Sequence, residues 1–117
     1  MRCLAAFLLC AVSSVAWGEA CVVHSQAERL DVKVCQQNRS IPENLFRTGF
    51  CKPELKGQKV AVAFVEQCPA GAYGICRNST TGGTPYKQDI YYYGVASDSA
   101  FLKPFCEKQN KGVWMAR

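Results

Sequence analysis

The sequence has very little histidine and none of the short motifs that mark common catalytic sites. His24 is the single histidine in 117 residues, which leaves too few imidazoles for a histidine-rich metal site. The chain contains no G-x-S-x-G, G-x-G-x-x-G, P-loop or H-E-x-x-H pattern, which argues against serine hydrolases, dinucleotide-dependent oxidoreductases, phosphate-binding loops and zinc peptidases. We therefore expect no metal and no cofactor, and we expect His24 to be a surface or strand residue.

Long apolar runs are also scarce, and the one at the amino terminus is too short to cross a membrane as a helix. Residues 4–12 are nine apolar residues that follow Arg2, whereas a spanning helix needs about 20. A positive start, an apolar stretch and small residues before Gly18 are typical of a secretory signal peptide. We predict a signal peptide over residues 1–18 and a single domain over residues 19–117.

No Cys-x-x-Cys pair occurs in the chain, although cysteine itself is abundant. The six cysteines that follow the signal peptide are separated by 14, 16, 17, 8 and 30 positions, which argues against a tetrahedral zinc site and a thioredoxin-type redox motif. An even number of cysteines in a small exported domain is typical of disulfides. We predict three bridges among Cys21, Cys35, Cys51, Cys68, Cys76 and Cys106.

Charge of one sign is not concentrated anywhere in the sequence. The whole chain has a net charge of +5, and signal removal leaves 13 basic and 9 acidic residues, a net charge of +4. Because the basic residues are spread along the chain, we expect no nucleic-acid partner. The composition, with 49% hydrophobic and 20% charged residues, is that of a folded chain and excludes disorder.

Apolar periodicity predicts an α+β fold, in which a small disulfide-stapled antiparallel sheet carries two short helices. Residues 58–68 alternate with apolar residues on both faces, so we predict a central strand that is covered on both sides. The motif Ser40-x-x-Glu43 is typical of a helix start and predicts a helix over residues 41–52. The other expected elements are a hairpin over residues 21–35, strands over 73–78 and 86–93, a helix over 98–110 and a β-prone segment at 113–115.

The pairing of the cysteines stays open, because six cysteines allow 15 connectivities. The hairpin should bring Cys21 and Cys35 together near its open end, so we predict that these two residues pair. The other predicted bridges are Cys51–Cys68, from helix to strand, and Cys76–Cys106. A Cys68–Cys76 bridge across the short turn is the main alternative.

One motif occurs twice, at residues 46–57 and at residues 101–112. Each copy has two phenylalanines four positions apart, then a cysteine, and then a Lys-Gly pair suited to the end of a helix. Either the copies flank a binding face, or a helix stapled to the sheet by its terminal cysteine is used twice for packing. We favour the packing interpretation.

Cysteines, glycines and aromatic residues form one ordered pattern along nearly the whole mature chain. Its members are Cys21, Cys35, Cys51, Gly57, Cys68-Pro69, Gly74, Cys76, Tyr91-Tyr92, Cys106, Gly112 and Trp114. The pattern resembles that of small cysteine-rich domains of secreted or periplasmic proteobacterial proteins, a family without an assigned function. The resemblance implies the fold and the compartment, and it implies no activity.

The strand over residues 86–93 is rich in tyrosine. Alternation places Tyr86 and Tyr92 on one face and Lys87, Tyr91 and Tyr93 on the other. Rigid aromatic area with a hydroxyl group is typical of recognition surfaces, so we predict binding residues at Tyr91, Tyr93, Tyr86 and Lys87. The alternative is that these tyrosines pack beneath the helices.

These features favour an exported, non-enzymatic binding module of the periplasm or the extracellular medium. Its partner would be a protein, a peptide or an envelope glycan, and no membrane segment is expected after signal removal. One alternative is a small envelope hydrolase that uses Glu66 and Asp89, on adjacent strands, as a carboxylate pair. The other is a purely structural envelope component.

Overall fold

The computed structural model describes residues 19–27, 30–51, 59–80 and 83–117. Within these ranges, no helix is long and apolar enough to cross a bilayer. The signal peptide predicted over residues 1–18 lies outside the described residues. So do the Lys-Gly pair at positions 56–57 that ends the first copy of the repeated motif, and positions 81–82 of the glycine-rich loop.

A six-stranded antiparallel sheet dominates the fold, so the predicted α+β class fits only in part. The strand order is β3-β1-β2-β5-β4-β6, and each neighbouring pair is antiparallel. Two short helices, α1 and α2, each continue into a wider π-helical turn. The strands are β1 (Ala20–Ala27), β2 (Leu30–Asn38), β3 (Lys59–Val65), β4 (Gly74–Thr80), β5 (Lys87–Tyr93) and β6 (Val113–Ala116). The helices are α1 (Glu43–Leu45, then Phe46–Phe50) and α2 (Ser99–Pro104, then Phe105–Gln109), the latter preceded by a 3-10 turn (Ala96–Asp98).

The sheet consists of two halves with the same order of elements. In each half a hairpin (β1–β2 or β4–β5) is followed by a helix and by a strand that pairs with the first strand of the hairpin. At the junction Cys35 lies opposite Tyr91, and Gln36 lies opposite Ile90. Because Gln36 and Tyr91, like Cys35 and Ile90, are 55 positions apart, a two-fold rotation exchanges these pairs. The repeated motif has the same offset and therefore belongs to an internal pseudo-two-fold arrangement.

Each copy of the repeated motif staples its helix to the sheet. Cys51 bonds Cys21 on β1, and Cys106 bonds Cys76 on β4. The four sulfur positions are buried, with 0–2% exposure. The structure thus shows the staple in both copies, whereas burial of the first phenylalanine occurs only in the first copy, because Phe46 is fully buried and Phe101 is 77% exposed.

The predicted Cys76–Cys106 bridge is confirmed, whereas the other two predicted pairs are wrong. The structure has Cys21–Cys51 and Cys35–Cys68. In the first hairpin, Cys21 lies opposite Gln36 rather than Cys35. Because side chains alternate between the faces of a strand, this offset of one residue directs Cys21 and Cys35 to opposite sides of the sheet. The two cysteines are close along the hairpin but cannot bond.

Strand β3 is an edge strand, which contradicts the prediction that it is central. It pairs with β1 on one side and ends the sheet on the other among the described residues. Val62 and Phe64 are 37% and 41% exposed. Continuous apolar alternation predicts burial on two faces, yet Ala61 and Ala63 are small enough to tolerate exposure on the face that they share.

The start of α1 also differs from the predicted capping box. The Ser40 hydroxyl accepts a hydrogen bond from the backbone N–H of Lys87, at 2.9 Å, instead of capping the helix. The Asn38 side chain makes the turn, because its Oδ1 accepts from the N–H of Ile41 and its Nδ2 donates to the Ile41 carbonyl, both at 2.7 Å. The helix therefore begins at Glu43 rather than at residue 41.

The helices cover one face of the sheet, which we name the helix face. Its core cluster is formed by Cys21, Val23, Ile41, Phe46 and Cys51. In the second half, the Tyr92 and Trp114 rings lie 5.7 Å apart. Trp114 also requires glycine at position 74, because a Cβ there would lie 2.2 Å from Cζ2 of the indole.

Candidate functional site

The face of the sheet opposite the helices, the open face, is crossed by residues 66–69, which follow β3. The Cys35–Cys68 disulfide joins this crossing segment to β2. The backbone N–H of Cys68 donates to Oε1 of Gln37 at 3.0 Å, and the Tyr93 hydroxyl donates to the carbonyl of Pro69 at 2.6 Å. The crossing segment is therefore held against β2 and β5 at Cys68 and Pro69.

A cleft of about 610 Å³ lies between the crossing segment and strands β2 and β5. Its volume is within the range of about 300–1,000 Å³ that is usual for ligand pockets. Most of its lining side chains are amides or charged groups. The lining residues are Gln37, Asn38, Arg39, Glu66, Gln67, Cys68, Asp89 and Tyr91.

Asp89 is a buried carboxylate in the wall of this cleft, with only 3% exposure. Its Oδ1 accepts a hydrogen bond from the N–H of Asn78 at 2.9 Å, and its Oδ2 lies 3.7 Å from Nη1 of Arg39. The donor is supplied by a β-bulge in β4, where Asn78 has φ of 55° and the register shifts between Cys76 and Ser79. Bulges commonly direct groups toward functional sites. The bulge thereby fixes the position of a negative charge in the cleft.

The structure places the four predicted binding residues in three different settings. Tyr91 lines the cleft, and Tyr93 shares its face but anchors the crossing segment. Tyr86 packs edge-on against Phe50, with ring centroids 6.5 Å apart, so it belongs to the core of the helix face. Lys87 is exposed and is not among the residues that line the cleft.

The ring of Tyr93 has a second structural role on the open face. The ammonium of Lys33 lies 5.4 Å from its centroid, which is within the range of a cation–π contact. Burial, and to a lesser extent Tyr91, raises the pKa of the Tyr93 phenol to about 12. Tyr93 is thus a neutral hydrogen-bond donor that positions the crossing segment.

Sequence reasoning missed the amide and guanidinium groups of the cleft. Gln37 and Asn38 are the last two residues of β2, beyond the predicted end of the hairpin at residue 35, and Arg39 follows them. Continued alternation after Cys35 was the one signal that could have extended the strand, because Gln36 points to the helix face and Gln37 to the open face.

The described residues contain no group of three or more His, Cys, Asp or Glu side chains that could hold a metal ion. His24 lies on β1, between Lys33 of β2 and Ala61 of β3, which confirms the prediction of a surface or strand residue. Glu66 and Asp89 both line the cleft, although Glu66 lies on the crossing segment rather than on a strand.

No protein-family model, no curated protein and no solved structure matches this chain. The resemblance to proteobacterial cysteine-rich domains therefore stays a prediction.

Proposed function

We propose that the protein is an exported, non-enzymatic binding module whose cleft on the open face binds an envelope glycan. The observation that carries the proposal is the cleft of about 610 Å³ with its dense polar lining beside Tyr91. Three disulfides support export, because such bridges persist in oxidising compartments and are typical of small secreted domains.

The chemistry of the lining favours a glycan over a peptide side chain or a protein surface. No aliphatic side chain lines the cleft, so it offers no apolar pocket for a hydrophobic anchor. The amides of Asn38 and Gln37 already bond within the protein, so the groups that remain for a ligand are the Gln67 amide with its donors and acceptor, the Glu66 carboxylate and the Arg39 guanidinium. This mixture suits a ligand that is rich in hydroxyl and amide groups. The Tyr91 ring adds a flat apolar surface with a polar edge, against which a sugar ring can lie.

The cleft is also preorganised. Its floor consists of paired strands, and its rim is fixed by the Cys35–Cys68 bridge and by the hydrogen bond from Tyr93 to Pro69. Ligand binding then orders few additional groups, and this lowers the entropic cost of association. A rigid polar cleft favours specific recognition even when its apolar area is small.

The test uses chitotetraose, a soluble glycan with hydroxyl and amide groups, and tetra-alanine as a peptide of comparable length. We expect chitotetraose to shift the amide resonances of Asn38 and Tyr91 in oxidised protein, and tetra-alanine to leave them unchanged. Tyr91→Ala should weaken binding by about tenfold or more, because it removes a central ring. Tyr91→Phe, which keeps the ring, should retain most of the affinity.

Lys87→Ala serves as the control, because Lys87 does not line the cleft and its loss should leave the affinity unchanged. Binding of tetra-alanine at the same resonances, with no response to chitotetraose, would contradict the glycan proposal. Equal affinities of the wild type and Tyr91→Ala would remove Tyr91 from the site.

A small hydrolase is the second candidate, and the shared location of Glu66 and Asp89 in the cleft favours it. Two carboxylates that flank a bound sugar could act as acid and base. The contacts of Asp89 weigh against this role, because each of its oxygens already has a partner within the protein. Slow release of shorter sugars from chitotetraose, abolished by Glu66→Gln or Asp89→Asn, would establish the hydrolase instead.

A further inference from the structure

Apart from the charge of its first residue, Lys59, the outer edge of β3 has none of the features that usually protect an exposed strand. Natural edges are blocked by short length, proline, bulges or charges within the strand. Strand β3 has seven residues, no proline, and a charge only at its first residue, Lys59. Its register with β1 is continuous over all seven positions. The opposite edge of the sheet, β6, has only four residues.

The direction of the backbone groups in β3 follows from the ladders of the sheet. The N–H of Asn38 donates to the carbonyl of Glu19 at 2.9 Å, and these two residues continue the β1–β2 register. Hydrogen-bonded pairs alternate along an antiparallel ladder, so Cys21 and Val23 also direct their backbone groups toward β2. The intervening residues of β1, among them Val22, direct theirs toward β3.

The same alternation defines the free edge of the sheet. Ala61 and Ala63 lie opposite β1 residues that face β3, so their backbone groups are used within the chain. Val60, Val62 and Phe64 therefore direct their N–H and C=O groups outward. Among the described residues, no strand pairs with this edge.

The outward edge is also self-complementary. In residues 60–64, the first, middle and last side chains are large and apolar, and the two between them are alanines, so the segment is symmetric about Val62. In an antiparallel arrangement with Val62 opposite Val62 of a second copy, Val60 meets Phe64 and Ala61 meets Ala63. Each outward backbone group then finds a partner, in three hydrogen-bonded residue pairs that exchange two bonds each.

We propose that two copies of this chain associate through β3, antiparallel and in register about Val62, into one continuous sheet. A two-fold contact at an edge strand closes the β3 edges of both copies at once, and the edges that remain are the short, four-residue β6 strands. The contact also covers the exposed Val62 and Phe64 side chains with apolar partners. This inference goes beyond the proposed glycan binding, because it concerns the edge of the sheet rather than the cleft.

The test is the mass of the full chain, recovered in oxidised form, as measured by sedimentation velocity over a range of concentrations. The wild type should reach twice the monomer mass. Val62→Lys and Val62→Glu should each raise the dimer dissociation constant by tenfold or more, since both place like charges directly opposite each other at the two-fold contact. An equimolar mixture of the two variants should dimerise again, because lysine then faces glutamate. Val95→Lys, an equal change at a valine with 63% exposure away from β3, should dimerise like the wild type.

A monomeric wild type would overturn the proposal, and so would a dimer that survives Val62→Lys or a mixture that stays monomeric. Hydrogen exchange of the wild type tests the same contact without any variant that might fold poorly. The amide of Val62 should exchange fast in dilute solution and become protected at high concentration, whereas the amide of Ala63 should be protected at both. Concentration-independent exchange at Val62 would equally overturn it.

Discussion

Removal of the Cys35–Cys68 disulfide should lower stability by the same amount as removal of Cys76–Cys106, but with a different structural result. The sequence separations of the two bridges are 33 and 30 residues. Loop entropy for such lengths gives about 3.7 kcal/mol for each bridge at 25 °C. Alanine replaces both cysteines in each variant, so that no unpaired hydroxyl is buried. Three such contributions together reach the size of the whole stability of a small domain, about 5–15 kcal/mol.

The two variants are compared by urea unfolding and by hydrogen exchange at residue 68. Both should lose about 3.7 kcal/mol of unfolding free energy. Only Cys35→Ala with Cys68→Ala should expose the amide at position 68, because its bond to Gln37 then depends on a segment that is no longer tied to β2. A loss below about 1 kcal/mol, or an amide that stays protected in this variant, would refute the reasoning. The Cys76→Ala, Cys106→Ala variant is the control for general destabilisation.

Two further predictions concern the helix face. Burial raises the pKa of the Tyr92 phenol to about 12, so the unfolded chain ionises first above pH 10, and stability should fall between pH 10 and pH 12 by on the order of 2 kcal/mol. In urea unfolding, the unfolding free energy of Tyr92→Phe should therefore rise relative to that of the wild type as the pH increases through this range. A difference in unfolding free energy that does not change with pH would contradict the raised pKa of Tyr92. Gly74→Ala should cost about 1–3 kcal/mol through its clash with Trp114. Trp114→Leu should recover part of that cost in a double-mutant cycle, and additive effects of the two substitutions would exclude the clash as the cause.

Local patterns in the sequence predicted the positions of the elements well, because alternation and helical spacing depend on nearby residues. The strands near residues 73–78 and 86–93 and the helix over residues 98–110 lie close to the observed β4, β5 and α2. The place of each strand in the sheet could not be predicted in this way. Strand β3 alternates like a buried strand, yet its neighbours are decided by pairing with a distant segment. The predicted Cys21–Cys35 bridge was wrong for the same reason, because a register offset of one residue decides which cysteines lie on the same face of the sheet.

The repeated motif shows how strongly tertiary context controls burial. Phe46 is fully buried, whereas Phe101, at the equivalent position of the second half, is 77% exposed. Beneath Phe46 lies a cluster that includes Val23. The residue 55 positions after Val23 is Asn78, which carries the polar bulge beside Asp89. The same spacing of phenylalanines and cysteine thus meets an apolar surface in one half and a polar one in the other.

The candidate site was predicted only in part. Tyr91 was identified because strand alternation separates it from the core, and this depends on the sequence of one strand alone. The amides of Gln37 and Asn38 were missed, since the hairpin was expected to end at residue 35, three residues before the observed end of β2. The cleft itself depends on the crossing segment, whose position is set by the Cys35–Cys68 bridge. No local pattern indicates which cysteine forms a disulfide with Cys35.

The three disulfides fall into two groups that close separate, non-overlapping stretches of the chain. Cys21–Cys51 and Cys35–Cys68 are interleaved and are complete at residue 68, and Cys76–Cys106 lies wholly beyond them. If the predicted signal peptide with its Cys3 and Cys10 has been removed, a chain that oxidises as it emerges from its amino terminus presents four cysteines, with three possible pairings, before Cys76 appears. Six cysteines presented together would offer 15 pairings. If the first two bridges form before Cys76 emerges, the chance of a correct random pairing rises from one in 15 to one in three.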